Sequence, residues 1–130
     1  MHEWRSHTAE VELAIEAETP EDVFRESAVA FGELVARSGE GEPASHPIAL
    51  AAPDRGALLV EWLEELIFLA DTAQFIPEGV AELHANESSL RGVVVGRRGE
   101  VEPLVKAATY HGLRFAQEGA MWQARVVLDV

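Results

Sequence analysis

There is no cysteine among the 130 residues. That excludes disulfides, thiolate nucleophiles and cysteine-based zinc or iron-sulfur sites, so stability must come from packing. Basic side chains are scarce as well, with 10 Lys and Arg against 23 Asp and Glu and a formal charge of -13. Such a surface repels phosphate backbones, and no direct nucleic-acid binding is expected of it. It suits plain solubility or a basic protein partner. No apolar run is long enough to span a bilayer, since residues 58–70 are interrupted by Glu61, Glu64 and Glu65. Met1-His2-Glu3-Trp4-Arg5 lacks the basic-then-apolar layout of a signal peptide. A cytoplasmic protein without membrane contact is expected. Gly-rich phosphate loops, HExxH helices, EF-hand loops and GxSxG elbows are all missing, so no catalytic residues are assigned.

What is present is 48% hydrophobic content in a length that fits one domain, residues 1–130. Residues 10–17 alternate, with Val11, Leu13, Ile15 and Ala17 on one side, which predicts a half-buried strand. Thr19-Pro20-Glu21-Asp22 supplies an N-cap, a proline at the first helical position and an acidic first turn. A helix follows, with Phe24, Ala28, Phe31 and Val35 on one stripe. Ile48-Ala49-Leu50 is a short strand candidate, and Pro53-Asp54 opens a second helix whose apolar stripe includes Leu58, Leu59, Trp62, Leu63, Leu66 and Ile67. Phe68 falls on its acidic face, as single exposed aromatics commonly do. Beyond Pro77 the chain reads as strands over 80–85, 90–95, 106–111, 113–116 and 122–129, with a kink or bulge at Gly112 and a hairpin turn at Glu118-Gly119. This predicts an α+β, two-layer domain with a mostly antiparallel or mixed sheet and two helices packed on one face.

Five histidines, His2, His7, His46, His84 and His111, show no metal-ligand spacing. For each, a surface or hydrogen-bonded core role is the default. Two carboxylates invite a sharper reading. Glu10 follows the His7-Thr8-Ala9 corner, and Asp129 is the penultimate residue, beside the carboxylate of Val130. Both belong to the set opposite the apolar face. If their strands are neighbours, three carboxylates crowd one sheet end and repel one another unless a cation neutralises them. Oxygen-only donors select a hard ion such as calcium, magnesium or manganese over zinc. Against this, terminal acidic residues are usually just solvated.

Five blocks resemble the archeases over nearly the whole chain. They are His7-Thr8-Ala9-Glu10, Leu58-Leu59-Val60-Glu61-Trp62-Leu63, Phe68-Leu69-Ala70-Asp71-Thr72, Lys106-Ala107-Ala108-Thr109-Tyr110-His111-Gly112, and Trp122 through Val130. The resemblance implies a small, non-enzymatic, chaperone-like accessory protein that binds a divalent cation and activates an RtcB-type RNA ligase in tRNA splicing, with GTP used by the ligase. It also implies metal ligands at Glu10, Asp129 and Val130, with calcium foremost. Glu10 departs from the family's Asp, and calcium tolerates the extra methylene better than magnesium does. Glu64 departs from a frequent Asn. His7, Asp71, Lys106 and His111 are candidate partner or supporting residues, although Lys106 also reads as a solvated charge and His111 as packing. Two other function classes stand beside this one: a metal-dependent hydrolase of a small phosphate compound, which lacks a convincing nucleophile and base, and a general assembly chaperone.

Overall fold

The computed structural model describes all residues except Thr8, Ser38 and Gly39, and the backbone but not the side chains of Ser6 and His7. The order is β1 (His2–His7), β2 (Glu10–Ala17), α1 (Pro20–Val35), β3 (Glu42–Ala51), α2 (Arg55–Ala73), β4 (Phe75–Ala85), β5 (Ser89–Arg98), β6 (Ala107–Glu118) and β7 (Met121–Asp129). The class is α+β. Two antiparallel sheets are present rather than one, in the orders β1-β2-β7-β6 and β3-β5-β4.

Local chemistry starts both helices where the sequence indicates. Thr19 Oγ1 accepts from the Asp22 amide at 3.1 Å, and Asp54 Oδ1 accepts from the Ala57 amide at 2.8 Å, each satisfying a donor that a helix start leaves open. Helix α2 ends at Gln74, whose left-handed backbone (φ 52°) lets its amide close on Leu69 O. Ten of its nineteen residues are buried, and they occupy most of its circumference, Val60 and Leu69 included. A helix apolar on more than one side needs cover from more than one side. Accordingly α2 touches β6 and β7 of one sheet and β3, β4 and β5 of the other, while α1 touches β2 and β4. That is why the strands divide into two sheets.

The centre of the core is Trp62, whose Nε1 donates to Ser27 Oγ at 3.0 Å and Phe24 O at 3.2 Å. Ser27 in turn donates to Phe24 O at 2.7 Å, so the buried indole and hydroxyl are both satisfied. Trp122, by contrast, is half-buried, with the Arg55 guanidinium 5.0 Å above its ring. Helix α1 lies so close to β4 that a Cβ at Gly32 would stand 1.9 Å from Pro77 O.

Strand β1 was not expected. Its sequence, HEWRSH, has one large apolar residue and follows no clear alternation, as suits an edge strand paired on one side only. Strand β6 is one long strand with a wide bulge, in which the four residues between Thr109 and Arg114 stand against the single residue of β7 between Val127 and Arg125. Gly112, at φ +68°, lies inside that bulge.

Candidate metal centre

Antiparallel register places Glu10 directly opposite Asp129. The Val130 amide donates to Ala9 O at 3.2 Å, which makes the neighbouring pair the hydrogen-bonded one. Glu10 and Asp129 therefore form a non-hydrogen-bonded pair, the kind in which facing side chains come closest, with Cα atoms about 4.5 Å apart. Leu13, Ile15 and Ala17 are buried on the other face of β2, so the two carboxylates stand on the outer face of the four-stranded sheet. Both residues are half-buried.

The corner is tied from three sides. Asp129 has Ala107 as its partner on β6, and its carbonyl accepts from the Lys106 amide at 2.8 Å. Ala9 adopts φ 58°, a left-handed backbone that costs a residue with a Cβ roughly 1–2 kcal/mol, and in that conformation its carbonyl receives the Val130 amide. On β1, His7 is the register partner of Glu10; its side chain, like Thr8 of the same motif, lies outside the described residues.

Like charges directly opposite one another destabilise a sheet unless something neutralises them. Two residues along β2, Glu12 has that relief from Arg5 at 3.5 Å. Among the described residues, Glu10 and Asp129 have no ion-pair partner. No group of three His, Cys, Asp or Glu side chains among the described residues is arranged to hold a metal. Among the described residues, the side chains at this corner thus provide two carboxylates.

Other predicted residues are placed elsewhere. Lys106 reaches the corner through its backbone while its side chain is exposed. His111 is exposed within the β6 bulge, and Asp71 is exposed in the last turn of α2. Neither is hydrogen-bonded to Glu10 or Asp129 among the described residues. Glu64, half-buried on α2, accepts from the Ala108 amide at 2.9 Å through its Oε1 and ties the helix to the edge of β6. An acceptor facing a strand edge gives no periodic signal, which is why sequence pattern could not reveal it. Glu64 thus has a structural partner within the chain. The described residues contain no helix long and apolar enough to cross a membrane.

The whole of residues 2–130 matches the family model described as the archease protein family. The chain is 32% identical over 142 residues to a protein archease from Methanosarcina mazei, covering 99% of this chain and 95% of that one. It is 34% identical over 133 residues to a protein archease from Methanopyrus kandleri, covering 95% of each. The solution structure of a Methanobacterium thermoautotrophicum protein, 28% identical, superposes with a TM-score of 0.73 over 99% of this chain and 98% of that one. A crystal structure from Thermotoga maritima, described as an archease and possible chaperone, shares the fold with a TM-score of 0.66 at 19% identity, covering 100% of this chain and 98% of that one.

Proposed function

Since this chain belongs to the archease family, we propose that it is an accessory protein that holds a divalent cation at Glu10, Asp129 and the α-carboxylate of a chain ending at Val130, and that it activates an RtcB-type RNA ligase. The observation behind this reading is the direct pairing of Glu10 with Asp129, with Val130 held beside them by Ala9 O. Two half-buried carboxylates with no cationic partner among the described residues gain more from a dication than two solvated ones would. All three donors are oxygens, which fits calcium first, with manganese or magnesium as alternatives.

In this reading the bound ion supplies charge neutralisation and a Lewis-acidic centre at the sheet corner. The residues position it. The Glu10 and Asp129 strands fix the carboxylate spacing, the Lys106 amide holds the Asp129 backbone, and Ala9 holds the terminal residue. Joining of RNA ends and the use of GTP belong to the ligase in this reading, because among the described residues the corner offers carboxylates and no nucleophile poised by a base. The work of the chain is to present a charged, rigid corner to its partner. An assay of purified ligase with GTP, metal and cleaved RNA tests this. Addition of the chain should accelerate enzyme guanylylation or turnover, and no change at any ratio of the two proteins contradicts it.

A further inference from the structure

Four large apolar side chains are exposed among the described residues: Met1 at 81%, Tyr110 at 58%, Phe68 at 56% and Leu104 at 37%. Three of them belong to the α2–β6 side of the molecule: Phe68 on α2, Tyr110 on β6, and Leu104 in the segment leading into β6. Helix α2 and strand β6 run antiparallel, because Gly56 at the helix start packs against Leu113 and Glu64, two turns on, reaches the Ala108 amide. Phe68 follows Glu64 by one helical turn and so shares its face. Leu104 lies three residues before the start of β6. Tyr110 lies in sequence between Ala108 and Leu113, the two β6 residues that meet α2.

The α2 side of this ridge carries charge of one sign, whereas the β6 side adds the exposed Lys106. From Gly56 to Leu90 there is no Lys or Arg, while α2 alone contains Glu61, Glu64, Glu65 and Asp71. Glu64 is used by Ala108, whereas Glu61, Glu65 and Asp71 have no ion-pair partner among the described residues. Apolar side chains set among unpaired carboxylates complement a protein surface in which Lys and Arg rim an apolar pocket. An RNA-handling enzyme has such basic surface in surplus.

We infer that the α2–β6 ridge, centred on Phe68 and Tyr110 and flanked by Glu65 and Asp71, is the docking surface for a basic protein partner. The identity of that partner as the RNA ligase rests on the function proposed above. Strand β6 is the edge of its sheet, and Asp129 lies one strand in, on the face away from α2. A partner seated over this edge therefore reaches the ridge and the Glu10–Asp129 corner together.

The test measures binding of the full chain, with a native C-terminus and saturating calcium, to the purified ligase by calorimetry at two salt concentrations. Compared with the wild type are Phe68→Ala, Asp71→Lys, and Glu82→Lys on the three-stranded sheet, which makes the same change in net charge away from the ridge. Calcium affinity and melting temperature are measured on each. Ridge variants should bind at least about tenfold more weakly with unchanged calcium affinity and melting, the Glu82 variant should bind as the wild type does, and wild-type affinity should fall with salt. Equal binding by wild type and both ridge variants overturns the ridge while leaving the ligase reading standing. An equal loss in Glu82→Lys overturns it too, because bulk charge then explains the effect. Absence of wild-type binding overturns the ligase reading and this occupant with it.

Discussion

The Glu64 carboxylate accepts the Ala108 amide at 2.9 Å, across 44 residues of chain, and so closes the exposed side of β6 with a side chain from α2. Edge strands leave every second amide unpaired, and an unpaired edge invites association with other chains. A charged acceptor half-buried at that edge satisfies one such amide and fixes the helix against the sheet. The same bond sets the height of Phe68 above the edge, one turn further on.

Replacing Glu64 removes this anchor. Glu64→Ala should cost about 1 kcal/mol, near the middle of the range for a hydrogen bond with partial solvent access, and should raise hydrogen exchange at the Ala108 amide. Glu64→Gln keeps an oxygen acceptor and should cost about half as much. Equal exchange at Ala108 in all three proteins would show that the bond contributes nothing in solution.

Gly32 permits the contact between α1 and β4. A Cβ there would meet Pro77 O at 1.9 Å, well inside van der Waals contact, and backbone on both sides cannot yield cheaply. Gly32→Ala should destabilise the fold by roughly 3 kcal/mol or more despite the better helix propensity of alanine, worth about 1 kcal/mol the other way. Chemical denaturation measures the sum. A neutral or stabilising effect would mean that the helix moves outward freely.

Much of this architecture was legible in residues 10–36 and 53–74. Thr19-Pro20 and Asp54 mark the helix starts chemically, and the alternation of Leu13, Ile15 and Ala17 marks the buried face of β2. Strand β1 was illegible because edge pairing imposes little on HEWRSH, and β3 is ten residues long where only three carried a strand pattern. The second sheet was also missed. Its cue was present in α2, whose apolar residues exceed a single stripe, with Val60 and Leu69 buried outside it. At the sheet corner, Glu10 and Asp129 could be named from position and resemblance, but their register depends on β2 and β7 pairing across more than a hundred residues. Local pattern does not determine such a pairing.

Calcium should stabilise the protein through the same corner. At a free concentration a hundred times the dissociation constant, binding to the folded state alone contributes about 2.7 kcal/mol, which for a chain of this length raises the melting temperature by roughly 8 °C. Asp129→Ala should abolish the rise and ligase activation together, while changing stability without calcium by only about 0.5 kcal/mol, as for other partly exposed sites. Scanning calorimetry with calcium and with chelator checks this. Unfolding of the variant without calcium would assign Asp129 a structural role.

The central proposal is that, in a chain ending at Val130, the α-carboxylate is itself a charged ligand beside Glu10 and Asp129. Calcium titration by calorimetry on two proteins, one extended by a short neutral peptide after Val130 and one extended before Met1, tests it most directly. The C-terminal extension converts the α-carboxylate into an amide, whose oxygen still coordinates but bears no net charge. Loss of one unit charge beside a dication should weaken binding by about tenfold or more, while the N-terminal extension should leave affinity near that of the unextended chain. Equal affinity for the two extended proteins would contradict the account, leaving Glu10 and Asp129 as two facing carboxylates without their third donor.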